Sequence, residues 1–375
     1  MSKQPEIGQP EASKPLRRLS VCIINPRYEP SFWGFDYALP LMLGNKRYSN
    51  VTGALPAVAA LAPVYCDVTL LDENVEPIDY EALRHFDVIG VTGMIVQAQR
   101  MREILIELKK LPAIVVVGGA YVSVAEEWFD GYCDVRFIGE AEETWPAFLT
   151  ALAAGEPTAT RYEQAEKTDM TTVPTPRFDL IDAARYQMAS LQFSRGCPFL
   201  CEFCDIITIF GRRPRLKSVE QMIKEFEAIR RVGFRTCFLS DDNFIGNKKA
   251  AKTLLHALIA WQKSHGYPLQ FYTQASINLA DDAELIDLMT AANFRNVFIG
   301  IESPRAESLA ETRKVQNLAG DSIEAKIQRV RDGGMVVNAG FIIGFDSDDE
   351  TIFEEQFDFI QRSGIAQAAV GILTP

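Results

Sequence analysis

The stretch at 194–205 reads SRGCPFLCEFCD and places Cys197, Cys201 and Cys204 in a C-x3-C-x2-C pattern. A strand is predicted directly before it, at 189–195, so the cysteines fall in the loop that follows. Thiolates are soft ligands, and three of them can bind three irons of a cubane and leave the fourth iron without a protein ligand. Zinc is the alternative, but a structural zinc site usually has four ligands, and no fourth Cys or His lies nearby. The pattern favours a 4Fe–4S cluster.

Strands and helices alternate after the cysteine motif, as in a parallel α/β barrel. Six strands are predicted, at 189–195, 236–242, 269–276, 296–302, 337–345 and 368–374, with five helices near 218–232, 247–265, 281–292, 321–333 and 349–362. This order predicts a partial (β/α)6 barrel over residues 187–375. The chain stops directly after the sixth strand, where a parallel sheet normally has a covering helix, so we expect it to be a fragment of a longer protein.

The first part of the chain predicts a different α/β domain. Its apolar runs are continuous, which is typical of strands buried on both faces. Strands are predicted at 19–26, 67–73, 87–93, 113–119 and from 135, with helices at 51–62, 97–111 and up to Gly155. We predict a doubly wound, Rossmann-like domain at 19–155, after a disordered lead-in (1–18) and before a Thr- and Pro-rich linker (156–186).

Small residues mark the predicted ligand edge of this domain. A doubly wound sheet binds ligands at its carboxyl strand ends, but no G-x-G-x-x-G follows the first strand, which weakens a dinucleotide interpretation. Thr92, Gly93, Gly118, Gly119 and Gly139 instead follow three neighbouring strands. They permit close approach to a bulky cofactor, or they shape tight turns in a domain without a ligand.

Composition excludes several classes of protein. The chain has 375 residues, of which 47% are hydrophobic and 23% charged, as in an ordinary globular protein. Its formal charge of −12 argues against binding to duplex nucleic acid. No apolar run is long enough for a transmembrane segment, and the N-terminus lacks the apolar core of a secretory signal. Seven cysteines, an odd number, favour reduced thiols in the cytoplasm.

The cysteine motif and its setting resemble the radical S-adenosylmethionine (SAM) superfamily. The resemblance implies a 4Fe–4S cluster whose unique iron binds SAM, and cleavage of SAM to a 5′-deoxyadenosyl radical. The family's aromatic residue before the third cysteine is matched by Phe203. Its Gly-Gly-Glu after strand two is not matched, since Ser240-Asp241-Asp242 stands there. The SAM-contacting residues that the resemblance implies are Phe203, Asp241 or Asp242, Glu302, Ser303, Gly340 and Gly344.

Both halves together resemble the cobalamin-dependent radical SAM enzymes of the hopanoid C-2 methylase type. The segments that carry the resemblance are FWGFDYALP (32–40), DENVEP (72–77), FSRGCPFLCEFCDI (193–206), DDNFIGN (241–247) and ETRKVQN (311–317). It implies that cobalamin contacts Thr92, Gly93, Gly118, Gly119 and Gly139, and that the enzyme methylates an unactivated carbon. C-2 of a hopanoid follows loosely, because near relatives act on other molecules, and members of this family continue beyond the point where this chain ends.

The implied partners are a small-molecule or lipid substrate and an electron donor such as flavodoxin or ferredoxin. The implied location is the cytoplasm, at the inner membrane surface if the substrate is a lipid. Two alternatives stay open. One is a cobalamin-binding radical SAM enzyme that cyclises or rearranges its substrate without methyl transfer. The other is a cobalamin- or redox-binding protein without turnover. No catalytic residue beyond the cofactor ligands is assigned.

Two further expectations concern side chains around these sites. The basic segment GRRPRLK (211–217) is interpreted as a solvated loop, with a contact to a carboxylate or phosphate as the alternative. The loop from Asn25 to Phe35 contains no His. We therefore expect cobalamin with its base displaced and no histidine below cobalt, the lower face meeting Tyr28, Phe32, Trp33 or a water.

Overall fold

The computed structural model describes residues 16–28 and 44–373. The N-terminal domain is a doubly wound parallel sheet, as predicted, but it has six strands where five were predicted, because the sixth lies in the predicted linker. In chain order its strands are β1 (Leu19–Asn25), β3 (Cys66–Asp72), β4 (Val88–Thr92), β5 (Ile114–Gly118), β6 (Val135–Ile138) and β7 (Arg161–Glu163); β2 (Tyr48–Asn50) belongs elsewhere. Its helices are α1 (Ala54–Leu61), α2 (Ala98–Leu108), α3 (Ala120–Val124) and α4 (Thr144–Ala154).

The strand order is β3-β1-β4-β5-β6-β7, so β3 and β4, the two strands of this sheet that follow β1 in the chain, lie on opposite sides of β1. Such a switch in direction opens a crevice at the carboxyl edge of the sheet, where ligands bind. Helices cover both faces, so the strands are apolar on both sides. One core joins β-strand residues to Met101, Ile104 and Phe129, and the other joins them to Leu55 and Phe148.

The second domain is an open barrel-like sheet of parallel strands with helices outside it. Its six predicted strands are β8 (Tyr186–Leu191), β11 (Thr236–Leu239), β12 (Gln270–Ala275), β13 (Phe294–Glu302), β14 (Val336–Ile343) and β15 (Gln367–Ile372). The longer helices between them are α6 (Val219–Arg231), α7 (Lys248–Ser264), α8 (Ala283–Ala291), α11 (Ile323–Asp332) and α12 (Ile352–Ser363). A single apolar core runs through this sheet. The partial (β/α)6 fold is confirmed.

Several short elements escaped sequence analysis. The strand predicted at 189–195 divides into β8 and β9 (Ser194–Arg195), and β9 pairs antiparallel with β10 (Arg215–Leu216). Helix α5 (Ile206–Ile209) follows the cysteines, while α9 (Ala306–Glu311) and α10 (Val315–Leu318) follow β13. Elements of two to six residues contain too few positions for a helical or strand period to be visible.

Strand β2 ties the two domains together. It precedes α1 in the chain, yet it pairs in parallel with β8, with Tyr48 opposite Tyr186. The barrel sheet therefore has the order β15-β14-β13-β12-β11-β8-β2. The predicted linker also contributes, because β7 pairs with β6. Strand β2 therefore crosses into the barrel sheet, whereas β7 extends the N-terminal sheet with residues of the predicted linker.

Some of the segments discussed in the sequence analysis lie outside the described residues. Residues 1–15 of the predicted lead-in, segment 32–40 and Pro375 lie there. Residues 16–18 are described and contact the N-terminal domain. The Arg17 amide donates to the Ala153 carbonyl at 3.1 Å, and its side chain pairs with Asp87 at 2.7 Å.

Candidate active site

A glycine turn and a buried aspartate fix the start of the cysteine loop. Gly196 has φ +99°, and a Cβ there would lie 2.8 Å from the Gly211 carbonyl oxygen, so another residue would require the backbone to move. The Asp241 carboxylate accepts hydrogen bonds from Phe193 N at 2.7 Å and from N and Oγ of Ser194 at 2.9 and 2.6 Å. These contacts hold the chain at the start of β9.

The three thiols occupy one partly buried loop between β9 and α5. Cys201 is buried, whereas Cys197 and Cys204 are half-buried. Burial raises the pKa of the Cys204 thiol to about 11 and also raises that of Cys197, so a metal that binds them must displace protons. In a cubane each thiolate binds a different iron, so the three sulfurs surround the cluster and need not meet at the position of a single ion. Within the described residues, no three His, Cys, Asp or Glu side chains converge on one ion position.

Two buried side chains that sequence analysis did not assign lie beside the thiols. Gln316 Nε2 donates to Cys201 Sγ at 3.5 Å. Lys314 Nζ pairs with Glu302 Oε1 at 2.5 Å and lies 5.6 Å from the centre of the Phe203 ring. Burial opposes the charge of Lys314, but Glu302 and the thiol of Cys201 outweigh it and raise the pKa. A cation and an N–H donor here stabilise the negative charge of ligated thiolates, so these residues fit an iron–sulfur cluster.

Most residues predicted to bind SAM surround this loop at the carboxyl ends of the strands. The Phe203 ring lies 6.0 Å from that of Phe345, which adjoins Gly344. Glu302 ends β13 with φ +70°, and its carboxylate is held by Lys314. Neighbouring Ser303 is fully buried.

Gly340 has an explanation in packing alone. It lies within β14, and a Cβ at this position would come within 2.9 Å of the Phe298 ring. The close contact between neighbouring strands therefore requires a small residue whether or not adenine binds near it.

The two neighbouring aspartates differ in what they can do. Asp241 is fully buried and both of its oxygens accept hydrogen bonds from the chain, so Asp242 is the better placed of the two for the SAM ammonium group; the contact itself stays a prediction. Asp242 is partly exposed and accepts one hydrogen bond, from Gly196 N at 2.7 Å. Burial raises the pKa of Asp242 to about 6. A charged acceptor at Asp242 remains free to bind an ammonium group.

A cavity of about 370 Å³ lies between the two domains. Its wall on the N-terminal domain includes all five residues predicted to contact cobalamin: Thr92, Gly93, Gly118, Gly119 and Gly139. Its wall on the barrel includes Ser190, Leu191 and Arg195, the last of which precedes the cysteine loop by one residue. The cavity therefore lies between the predicted cobalamin edge and β9, the strand directly before the cysteine loop.

The glycines that line the cavity are required for different physical reasons. A Cβ on Gly119 would lie 2.6 Å from Thr92 Oγ1, and its φ is +106°. A Cβ on Gly93 would lie 2.8 Å from the Met101 sulfur. Both are explained by packing within the domain. Gly139 has φ +71° with open space around it, so it shapes the turn beside the cavity.

None of the histidines, which all lie in the described part of the chain, lines this cavity. His85 ends a short 3-10 helix just before β4, at the amino edge of the sheet. Tyr28 does line the cavity, and its ring stacks on Tyr48 at 5.9 Å. Phe32 and Trp33 are outside the described residues.

The basic segment 211–217 is only half a solvated loop, which corrects its interpretation. Arg212 and Arg213 are exposed. Arg215 and Lys217, two residues apart on β10 and its continuation, point inward. Lys217 Nζ pairs with buried Glu225 at 2.6 Å, and Arg215 pairs with Glu140 at 3.0 Å.

Comparisons with known proteins agree with this geometry. The sequence profile of the Radical SAM superfamily matches residues 191–360, and that of the B12 binding domain matches residues 51–149. An uncharacterized methyltransferase of Synechocystis sp. is 40% identical over 94% of this chain and 65% of its own length. The hopanoid C-2 methylase of Rhodopseudomonas palustris is 33% identical over 97% of this chain and 69% of its own length. The chain belongs to the cobalamin-dependent radical SAM methyltransferase family.

A solved structure of this family shares the fold. It is the radical SAM methyltransferase TsrM from Kitasatospora setae with cobalamin and a [4Fe–4S] cluster bound, at TM-score 0.69 and 17% identity, covering 95% of this chain and 72% of TsrM. The cofactors of this family member are accordingly a 4Fe–4S cluster, SAM and cobalamin. The chain spans about two thirds of the length of the two curated relatives above. Among the described residues, no helix combines the length and apolarity needed to cross a bilayer.

Proposed function

We propose that this protein transfers a methyl group from SAM to an unactivated carbon, and that this carbon is C-2 of a hopanoid. The observation that carries the proposal is the cavity between the domains, which has the predicted cobalamin residues on one wall and the strand before the cysteine loop on the other. A hydrogen-abstracting group and a methyl donor must reach the same substrate carbon, and this cavity brings the predicted cobalamin wall next to Arg195, directly before the cluster loop.

The chain's own residues would hold the cofactors and exclude water. When bound, the cluster and SAM supply a radical that abstracts hydrogen, and cobalamin supplies the methyl group. Cys197, Cys201 and Cys204 would hold the cluster, Phe203 would pack near adenine, and Asp242 would accept from the SAM ammonium group. Further SAM contacts are proposed for the ribose and adenine, at Glu302, Ser303, Gly340 and Gly344. Apolar side chains such as Phe210 and Val173 line the cavity and keep it dry.

The hopanoid substrate is supported by its chemistry and by the named relative at 33% identity. A saturated polycycle offers no acidic proton, so removal of a hydrogen atom is the practical way to activate it. A lipid substrate would bring the protein to the cytoplasmic surface of the inner membrane. A low-potential carrier such as flavodoxin or ferredoxin would deliver the electron that SAM cleavage consumes.

The test is anaerobic turnover with SAM that carries a deuterated methyl group, a low-potential reductant and a hopanoid that lacks a 2-methyl group. We expect one S-adenosylhomocysteine, one 5′-deoxyadenosine and one labelled methyl group at C-2 for each turnover. The matched control is the same hopanoid already methylated at C-2, which should not accept a second methyl group.

Each alternative has its own signature in this assay. 5′-Deoxyadenosine without S-adenosylhomocysteine would favour cyclisation or rearrangement. Bound cofactors without SAM cleavage would favour a binding protein. Methyl transfer to another polycycle but not to the hopanoid would retain the reaction and overturn the substrate.

A further inference from the structure

A buried ion-pair network joins the two domains beside the cavity. We define the inter-domain network as Glu140 and Glu142, which follow β6, and Arg195 and Arg215, which pair with each other on β9 and β10. Arg195 Nη1 lies 2.7 Å from an oxygen of each glutamate, and Arg215 Nη1 lies 3.0 Å from Glu140 Oε1. The Glu140 side chain is only 1% exposed. Thr168 N, from the connecting segment, donates to the other Glu140 oxygen at 3.0 Å.

Each end of the network continues directly into a cofactor site. Glu140 follows Gly139, and both line the cavity on its cobalamin wall. Arg195 is followed by the Gly196 turn and then by Cys197, the first cluster ligand. One side-chain contact therefore connects the backbone beside the cobalamin cavity to the backbone of the cluster loop.

Stability alone is a poor explanation for such a contact. Removing two charges from water costs about as much as their attraction returns, so a buried ion pair seldom adds net stability over apolar packing. Its distinctive property is geometry, because a guanidinium that bonds two carboxylates has few alternative arrangements. Apolar contacts between the two domains would allow one domain surface to slide against the other, whereas the inter-domain network does not.

We propose that Glu140 and Arg195 are positioning residues that fix the separation of the cobalamin and cluster sites. The inference rests on the proposed methyl transfer, in which a carbon activated from one side must receive a group from the other. Weakening the contact would leave both cofactors bound and SAM cleavage intact, but would let the activated carbon and the methyl donor drift apart.

The experiment compares Glu140→Gln with Glu73→Gln. Glutamine keeps the size of glutamate and can still accept from Thr168 N, but it removes one of the two carboxylates that hold Arg195 and the carboxylate that pairs with Arg215. Glu73 is the matched control because it pairs with Arg100 at similar burial, with side chains 8% and 18% exposed, entirely inside the N-terminal domain. The first readout is the magnetic interaction between cob(II)alamin and the reduced cluster, measured by paramagnetic resonance. The second is 5′-deoxyadenosine formed per methylated product.

In Glu140→Gln we expect a weaker or broader magnetic interaction with iron and cobalt contents unchanged. We expect the ratio of 5′-deoxyadenosine to methylated product to rise about 10- to 100-fold, since a misplacement of about 1 Å can cost this much. Glu73→Gln should change neither quantity. An unaltered magnetic interaction in a Glu140→Gln protein that retains both cofactors would overturn the proposal, and so would equal changes in both variants.

Failure of the proposed function gives a different result. If wild-type protein shows the magnetic interaction but forms no methylated product, the methyl transfer is wrong. The positioning role is then judged from the magnetic readout alone. If Glu140→Gln loses a cofactor, the double variant Glu140→Gln/Arg215→Gln removes the cation that is left without its carboxylate and repeats the comparison.

Discussion

Asp241 occupies the position where the resemblance implies a carboxylate for SAM, yet its bonds run to the protein's own loop. Its oxygens accept from Phe193 and Ser194, and burial raises its pKa from 3.8 to about 7. Sequence alone could not distinguish Asp241 from Asp242, because adjacent residues at a strand end differ in burial only once the neighbouring loop is placed. This residue serves the site by holding the cysteine loop.

Replacing Asp241 with Asn should destabilise the cofactor-free protein at acidic pH. An amide nitrogen cannot accept from the Ser194 N–H, so the unfolding free energy should fall by about 1–3 kcal/mol. Between pH 4 and 7 the unfolded wild-type chain releases the Asp241 proton while the folded protein keeps it, so wild-type stability falls as pH rises. The unfolding free energy of the variant lacks this decrease, because Asn does not titrate. The difference in unfolding free energy between wild type and variant should therefore become smaller towards pH 7.

Urea denaturation of both proteins across this pH range measures this difference. Asp179→Asn is the control, since Asp179 forms an exposed pair with Arg177 and should cost at most about 0.5 kcal/mol. A difference that widens as pH rises would contradict the raised pKa.

The cysteines provide a second prediction for individual residues. Replacing Cys197, Cys201 and Cys204 together with Ala should abolish iron binding and SAM cleavage after anaerobic reconstitution, which otherwise gives about four irons per chain. Cys22 and Cys237 are fully buried within β1 and β11, so Ala at either position should leave the iron content unchanged. Unaltered iron in the triple variant would disprove the cluster assignment.

At the scale of strands and helices, the carboxyl ends of β4, β5 and β6 define the cobalamin side of the cavity. The absence of a histidine from the lining residues in the described chain supports the prediction that cobalamin binds with its base displaced and without a histidine ligand. Paramagnetic resonance of bound cob(II)alamin should therefore lack splitting from an axial nitrogen. Such splitting, or a change in the spectrum on His85→Ala, would contradict the prediction.

Long elements were predictable because their periods and apolar runs are long enough to read. The strands at 19–26 and 113–119 and the helix at 247–265 agree with the structure within a few residues. The short elements were not predictable, and neither were contacts between distant segments. Lys314 and Gln316 stand in a segment that the resemblance quotes, but only the fold of α9 and α10 brings them to the cysteine loop.

Buried ion pairs could not be predicted from the sequence either. Arg215 and Lys217 read as solvated because charged residues are seldom buried without partners. Their partners, Glu140 and Glu225, lie 75 and 8 residues away along the chain. Glu140 directly follows Gly139, which was predicted to contact cobalamin. A charged residue in that loop was the signal from which a buried ion pair could have been predicted.

At the scale of the whole molecule, the two domains enclose one cavity between them. Strand β2 joins the barrel sheet from the N-terminal side, and Tyr186 OH donates to Asp72 of the N-terminal domain at 3.0 Å. The inter-domain network adds a third connection near the cysteine loop. Helix α1 presents Ala57 to the cavity.

Cobalamin content after reconstitution of Ala57→Trp tests the central claim most directly, which is that this cavity holds cobalamin next to the cluster. The indole would project into the cavity and occupy part of it, so we expect cobalamin to bind about tenfold more weakly or not at all, with the iron content at the wild-type value. Ala60→Trp, on the same helix but outside the cavity lining, should bind both cofactors normally. Wild-type cobalamin affinity in an Ala57→Trp protein that keeps its iron would contradict the account.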